Sequence, residues 1–381
     1  MIYLDYAASS PPWPEAARAV YESMQTQFGN PGGLHQAGAQ ARAALQTSRK
    51  TIAELLGVRP EEVFFTSGGT EANNWAVRFG CAPGRNHIVA SAAEHKSILE
   101  PLRQLQAEGY SVTYVSPGGD GIVTPEAVAA ALRPDTGLVC VQAVNNETGA
   151  MQDVAAIAAA ARQRGARYLC DGVQSFGHSL QPLHRADFIS VSAHKLGGPR
   201  GVGCLVIRYP HSLRPLIAGG GQEFGGRSGT ENLPGIVGFA RAAQLSCEHP
   251  EEESARLRDL SRTLVSGLRK ACPAMELNGS EDGCAPGIRS CYFPGISGEE
   301  MVLRLDAMGI CLSPGAACAA RDPRPSHVLL AMGYSERRAR QSVRFSLGRM
   351  TTTEEVSQTI QAVERIYNEE MGTGKICPKG I

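Results

Sequence analysis

Residues 186–208, which read ADFISVSAHKLGGPRGVGCLVIR, carry the pattern that is most informative about the fold. Its two ends are short apolar or β-branched runs, as expected of strands that are covered on both faces. Between them lies a turn of Gly and Pro residues, and the first run ends in Ser192, His194 and Lys195. In an open α/β sheet, ligands bind outside the carboxyl ends of the strands, so the stretch indicates a ligand site.

The same kind of run recurs upstream, and helical segments lie between the runs. Residues 153–164 are rich in Ala and are followed by Gly165, which is a natural end for a helix. The alternation predicts an α/β fold with a mostly parallel central sheet and helices on both faces. The strand-like runs are residues 62–66, 87–91, 111–116, 137–143, 166–170, 186–191 and 202–208.

The C-terminal third has a different pattern. A long charged helix is predicted at about residues 251–270, and Gly/Pro-rich turns with short strands and helices follow it. This pattern indicates a smaller α+β domain. We therefore predict a large domain at residues 15–250, and a small domain that combines residues 1–14 with residues 251–381.

Composition is that of a folded protein, with 43% hydrophobic and 19% charged residues in a chain of 381. Lys plus Arg and Asp plus Glu both number 37, so neither nucleic acid nor an acidic membrane surface is expected as the main partner. We see no signal peptide and no apolar run of about 18 residues, and we expect a cytoplasmic protein. The 11 cysteines form no CxxC pair, so neither a disulfide framework nor a metal site is predicted.

Polar residues follow several of the predicted strands. Gly68 and Gly69 precede a helix whose first N–H groups could bind an anion, although an ordinary helix start would look the same. Asp171 stands at a strand end with Gln174 nearby. A buried carboxylate needs a cationic or hydrogen-bonding partner, for which a pyridinium nitrogen would serve, but Asp171 could equally cap a helix.

Lys195 and His95 are the candidate catalytic groups. Burial and the neighbouring His194 should lower the pKa of the Lys195 amine and leave it able to form a Schiff base with a carbonyl; the alternative is a surface lysine. His95 could stack on a flat cofactor and move protons, or simply begin a helix. Asn146 follows another strand at the same predicted edge.

Ten motifs, taken together, give the chain a close resemblance to a known family. In order they are YLDYAAS, FGNPGGLH, FFTSGGTEANN, AEHKSI, VNNETG, DGVQS, SAHKLGGPRGVG, GGGQEFGGRSGTEN, SPGAAC and VRFSLGR, and they extend from Tyr3 to Arg349. The set resembles the NifS/IscS family of cysteine desulfurases. These are pyridoxal 5'-phosphate (PLP) enzymes of fold type I.

The resemblance implies a role for each candidate residue. Lys195 would bind PLP covalently and remove the substrate α-proton, and Cys318 would receive the sulfur of L-cysteine as a persulfide. His95 would stack on the PLP ring and assist in proton transfer. Further PLP contacts would come from Asp171 at the ring nitrogen, Gln174 at the ring hydroxyl, Asn146, and Gly69, Thr70, Ser192 and His194 at the phosphate.

The resemblance also implies partners. Asn146 and Arg344 would bind the substrate carboxylate, since a planar guanidinium can bind a carboxylate through two bonds. Thr230, in the glycine-rich loop 219–230, would reach the phosphate of the neighbouring subunit's PLP in a homodimer. A sulfur acceptor would then take the persulfide sulfur, either an iron–sulfur scaffold or a sulfur carrier that serves thio-cofactor synthesis or tRNA thiolation.

Two alternatives stay open. A selenocysteine lyase, a cysteine-sulfinate desulfinase or an aminotransferase would use PLP and Lys195 on the same scaffold without a necessary role for Cys318. A non-enzymatic sulfur-trafficking subunit would need neither the lysine nor the cofactor, and the presence of Lys195 and Cys318 argues against it.

Overall fold

The computed structural model describes residues 1–315 and 324–372. In these ranges the strands are β1 (Ile2–Tyr3), β2 (Val63–Thr66), β3 (His87–Ser91), β4 (Ser111–Val115), β5 (Thr136–Cys140), β6 (Arg167–Asp171), β7 (Phe188–Ser192), β8 (Gly203–Ile207), β9 (Glu276–Leu277), β10 (Ile288–Tyr292), β11 (Ile310–Cys311), β12 (Ser313–Pro314) and β13 (Ser342–Ser346). The helices are α1 (Pro14–Thr26), α2 (Gln36–Leu56), α3 (Gly69–Phe79), α4 (Lys96–Ala107), α5 (Pro125–Ala131), α6 (Val154–Gln163), α7 (Leu233–Ser246), α8 (Pro250–Ala271), α9 (Gly298–Ala307), α10 (His327–Ala331), α11 (Glu336–Arg340) and α12 (Thr353–Gly372).

The large sheet has the strand order β2-β8-β7-β6-β5-β3-β4. Strands β4, β3, β5, β6 and β7 run parallel, whereas β8 is antiparallel to both of its neighbours. All seven strand-like runs of the sequence are strands of this sheet, so the prediction of a mostly parallel α/β sheet is confirmed.

Helices cover both faces of this sheet because its strands are apolar on both sides. Val89 and Ile189 belong to a cluster that packs against α2, α6 and α7. Their chain neighbours Ile88 and Phe188 belong to a second cluster that packs against α3 and α4. Alternate residues of a strand point to opposite faces, so one strand contributes to both clusters.

The C-terminal part has its own sheet, with the order β12-β13-β10-β9 and antiparallel pairing. A separate hydrophobic cluster joins this sheet to α8, α9 and α12, and it includes Ile2 and Leu4 from the N-terminus. At the start of α12, Thr352 and Glu355 exchange side-chain to backbone hydrogen bonds as a capping box. The separate clusters support the division into a large and a small domain, whose boundaries stay a prediction.

Candidate active site

A cavity of about 520 Å³ lies at the carboxyl edge of the large sheet. Segments that follow β2, β3, β5, β6 and β7 meet there with the N-terminal segment and β13. Because parallel strands end at one edge, residues far apart in sequence come together at this edge. The predicted site residues that line the cavity are Gly69, Thr70, His95, Asn146, Asp171, Gln174, Ser192, His194, Lys195 and Arg344.

Asp171 is the last residue of β6 and is buried. Its Oδ1 accepts a hydrogen bond of 2.9 Å from the Val173 backbone N–H, and its Oδ2 accepts one of 2.7 Å from Asn73 Nδ2. A turn, and not a helix, follows Asp171, so the alternative that it caps a helix is wrong. An ionised carboxylate has about four acceptor positions, so further acceptor capacity remains for a cationic ring nitrogen.

Lys195 ends a single turn of 3₁₀ helix, Ala193–Lys195, directly after β7. Its Nζ donates to the carbonyl oxygens of Ala7 at 2.5 Å and Ala8 at 2.9 Å. Its own carbonyl oxygen accepts from Ser10 Oγ at 2.5 Å and lies 2.8 Å from His178 Nε2. Lys195 therefore lines the cavity, and the alternative of a surface lysine is wrong.

His95 is both a helix start and a cavity residue. Its Nδ1 caps α4 by accepting a hydrogen bond of 3.1 Å from the Ser97 backbone N–H, and it lies 2.7 Å from Ser97 Oγ. The ring has open surface towards the cavity, and the protein atoms around it still remove part of its water. This desolvation lowers the pKa of the His95 imidazole, while the negative charge of Asp171 acts in the opposite direction.

The start of α3 can accept an anion. No side chain caps the helix at Gly68, so the N–H groups of its first turn remain available to a ligand. Gly68 has φ of 150°, and a Cβ there would lie 3.6 Å from Ser192 Oγ, so the helix start and the end of β7 face each other. Arg200, which sequence reasoning missed, lines the same cavity and adds positive charge.

Arg344 is fully buried on β13 and is held at two points. Its Nη2 donates to Asp5 Oδ1 at 2.7 Å, and its Nη1 donates to the Asn146 carbonyl oxygen at 2.9 Å. Its Nε is buried and has no partner within residues 1–315 and 324–372. A buried donor without an acceptor is costly, and a carboxylate in the cavity would satisfy it.

Two predicted residues are not among those that line the cavity. Thr230 is exposed and lies outside the lining. The loop that carries it is anchored by Glu223, which pairs with Arg49 at 2.7 Å, and both side chains are about 2% exposed. Cys318 lies outside the described residues.

Asp5, Asn73 and Ser97 are further site residues that sequence reasoning missed. Asp5 and Asn73 lie inside the quoted motifs YLDYAAS and FFTSGGTEANN, and Ser97 lies in AEHKSI. The motifs were therefore the only available signal, because each contact joins residues from distant elements. Among the described residues, no group of His, Cys, Asp and Glu side chains could hold a metal ion.

Comparison with known proteins defines the family. Residues 2–359 match the model of the class-V aminotransferase family, and the chain belongs to that family. Cysteine desulfurase IscS of Serratia proteamaculans is 40% identical over 375 residues, which are 96% of this chain and 92% of the relative.

Two solved structures show the same fold. A NifS-like protein has a TM-score of 0.90 and 33% identity, and the match covers 97% of this chain and 99% of that one. SspA in complex with cysteine has a TM-score of 0.81 and 32% identity, with 92% and 100% of the two chains covered.

The residues of the cavity fit PLP. Asp171 offers a buried acceptor for a cationic ring nitrogen, the start of α3 offers N–H donors for a phosphate, and Lys195 Nζ reaches into the same space. PLP needs these three features together: an acid at its ring nitrogen, an anion site and a lysine amine.

Proposed function

We propose that this protein is a PLP-dependent cysteine desulfurase, which converts L-cysteine to L-alanine and passes the sulfur to an acceptor. The observation that carries the proposal is the meeting of Lys195, Asp171 and Arg344 in one cavity. Relatives that are named cysteine desulfurase match nearly the whole chain. The structure of SspA in complex with cysteine supports L-cysteine as the substrate.

PLP, when bound, supplies an electron sink for the negative charge that develops on the substrate α-carbon. In this proposal Lys195 binds the cofactor, Asp171 keeps its ring nitrogen protonated and Gln174 bonds its ring hydroxyl. Gln174 is buried at the cavity wall, where its Nε2 also donates to the Ala7 carbonyl oxygen at 2.7 Å. The phosphate would be held by Gly69, Thr70, Ser192 and His194.

The chain's own groups handle the substrate and its protons. Arg344 and Asn146 bind the substrate carboxylate at one end of the cavity. Lys195 Nζ then takes the proton from the α-carbon. His95 Nε2, the ring nitrogen that is not engaged by Ser97, gives or takes a proton beside it.

Sulfur transfer needs a nucleophilic thiolate. None of the nine cysteines among the described residues lines the cavity, which leaves Cys318 and Cys377, both outside the described residues. We assign the role to Cys318, because it is the cysteine of SPGAAC, one of the motifs that carry the resemblance to the desulfurase family. Its thiolate attacks the substrate sulfur to form an S–S bond, and the Cβ–S electron pair stays with the carbon. That carbon takes a proton, and Lys195 Nζ returns a proton to the α-carbon, so alanine leaves and Cys318 keeps a persulfide.

A homodimer and an acceptor protein belong to the proposal as well. Exposed apolar side chains at Phe28, Leu34 and Phe224 support burial against a second copy, and Phe224 lies in the loop that ends at Thr230. Sedimentation of an active monomer at working concentration would contradict the dimer. Within the described residues no helix could cross a membrane, and we propose a cytoplasmic location.

The test is a product assay on the purified protein with PLP. We expect equal amounts of alanine and sulfide from L-cysteine under reducing conditions. Lys195→Ala should lose both the covalent bond to PLP, seen by absorbance and mass, and the turnover. Lys50→Ala, an exposed lysine on α2, is the matched control and should retain both. Turnover of selenocysteine or cysteine sulfinate without cysteine turnover would favour the alternative lyases.

A further inference from the structure

A chain of hydrogen bonds connects Asp171 to His95 through two side chains that carry no role so far. Asn73 Nδ2 lies 2.7 Å from Asp171 Oδ2 and 2.9 Å from Ser97 Oγ. Ser97 Oγ in turn lies 2.7 Å from His95 Nδ1. Asn73 is on α3 and Ser97 is on α4, so the chain joins two helices to the end of β6.

The direction of each hydrogen bond follows from donor and acceptor chemistry. An ionised Asp171 can only accept, so the Asn73 amide must present its NH₂ group, which also donates to Ser97 Oγ. The Ser97 hydroxyl proton is then left to donate to His95 Nδ1. The Ser97 backbone N–H also points at Nδ1, at 3.1 Å. Nδ1 therefore accepts two hydrogen bonds and carries no proton.

We propose that Asn73 and Ser97 are positioning residues that keep His95 neutral with its proton on Nε2. The inference deepens the proposed function, and it rests on that function for the role of His95 in the reaction. A proton on Nδ1 would point at the Ser97 backbone N–H and would leave the Ser97 hydroxyl proton without Nδ1 as its acceptor. The hydrogen-bond chain thus reserves Nε2, which has no hydrogen-bond partner among the described residues, for exchange of a proton in the cavity.

The two middle residues of the hydrogen-bond chain are buried, which supports a specific role for them in positioning His95. Asn73 is 1% exposed and Ser97 is 7% exposed. Asn73 Oδ1 is buried and has no partner in the part of the protein that the structure describes, where only the donor side of this amide is used. An apolar residue would avoid that unsatisfied oxygen. The retained amide is explained if its two donated hydrogen bonds are needed at Asp171 and Ser97.

Other charged groups face His95 and act on its charge. Desolvation is the main cause that lowers the pKa of His95. Asp171 of β6 favours the imidazolium, whereas Lys195 after β7, His327 of α10 and Lys96 of α4 oppose it. Ser97→Ala leaves these groups in place, and Asn73→Ala changes only the hydrogen bond that Asn73 donates to Asp171, which belongs to the same hydrogen-bond chain. A shift in the titration of His95 in such variants would therefore report on the hydrogen-bond chain itself.

The test is ¹⁵N NMR of the PLP-bound protein labelled at its nine histidines, with His95 assigned from His95→Gln. We expect the wild type to show the neutral form with the proton on Nε2. Ser97→Ala and Asn73→Ala should each raise the titration midpoint of His95 by about 0.4–1 pH unit, the effect of one net hydrogen bond. Ser97→Thr keeps the hydroxyl and should retain the wild-type midpoint.

Ser175→Ala is the matched control, because Ser175 is also buried but its hydroxyl contacts Ser179, which is not part of the hydrogen-bond chain between Asp171 and His95. It should leave the titration of His95 unchanged. A wild-type His95 with its proton on Nδ1 would overturn the proposal without any variant. Unchanged midpoints in both Ser97→Ala and Asn73→Ala would overturn it too. The NMR readout needs no turnover, so a protein without desulfurase activity could still pass or fail this test.

Discussion

Nη2 of Arg344 donates a hydrogen bond of 2.7 Å to Oδ1 of Asp5, two residues that are separated by 339 positions in the chain. Ser313 Oγ donates to the same Asp5 oxygen at 2.8 Å. A buried guanidinium needs such an anion to offset its desolvation. Asp5 thereby fixes Arg344 at the cavity wall, and Nε of Arg344 has no partner among the described residues.

Arg344→Ala should raise the KM for L-cysteine strongly while PLP remains bound. Loss of a charged partner for a buried carboxylate costs about 2–4 kcal/mol, or roughly 30- to 700-fold in KM. Steady-state kinetics with a parallel absorbance spectrum of bound PLP measures both effects.

A matched control for this variant is Arg289→Ala on the neighbouring strand. Arg289 is also buried but pairs with Phe345 in the strand register, so it points to the opposite face from Arg344. Arg289→Ala should leave the KM within about threefold of the wild-type value. A change of that size corresponds to less than about 1 kcal/mol of binding free energy. An unchanged KM in Arg344→Ala would mean that another group holds the substrate carboxylate.

Asp5→Asn should lower the free energy of unfolding by about 1–3 kcal/mol, because it leaves the buried Arg344 charge without its counterion. L-Alanine, whose carboxylate can replace that anion, should then raise the Tm of Asp5→Asn more than it raises the Tm of the wild type. Thermal unfolding with and without L-alanine measures both quantities. An equal ligand effect in the two proteins would show that the carboxylate does not bind at Arg344.

The pH dependence of stability should report on His194. Burial and the charges of Lys195 and Arg200 lower the pKa of His194 from an ordinary value near 6.5 to about 4. Between these two values the unfolded chain binds a proton that the folded protein does not bind, so the free energy of unfolding falls as the pH falls from about 6.5 to 4. Replacement by Gln removes this loss.

The measurement is chemical unfolding of wild type and His194→Gln at pH 7 and pH 4.5. The variant should lose less stability between the two pH values than the wild type does. His249→Gln, at an exposed histidine, serves as the control and should lose as much as the wild type. A parallel loss in His194→Gln and the wild type would refute the assignment of this titration to His194.

The sequence predicts the sheet well but not the direction of every strand. The residues of β8 are apolar throughout, and such a run has the same pattern in a parallel or an antiparallel strand. The direction of β8 is instead a consequence of the short turn after Lys195, because parallel neighbours need a longer crossover than this connection allows.

The site shows a similar limit. Lys195, Asp171 and His95 could be predicted because each follows a strand-like run, and strand ends converge at one edge. Asp5, Asn73 and Ser97 could not, since they act through partners that only the tertiary fold brings close. From the sequence, His95 could either begin a helix or face the ligand site. In the structure it does both.

The last prediction concerns Cys318. Burial raises the thiol pKa of the cysteines in the described core, to about 11 at Cys81 and about 12 at Cys291. At neutral pH such thiols carry little thiolate and are poor nucleophiles. We therefore expect Cys318 to be alkylated first, and mass spectrometry after L-cysteine treatment should find the added sulfur on it.

Cys318→Ala should bind PLP as the wild type does and still bind L-cysteine, yet release almost no sulfide, because none of the nine described thiols lines the cavity to accept the sulfur. Cys377→Ala is the control, since Cys377 also lies outside the described residues and would be the alternative acceptor. It should retain the sulfide release of the wild type. Normal turnover of cysteine by Cys318→Ala would rule out transfer to this thiol, and a lyase that releases the sulfur directly would then be the better account of the cavity.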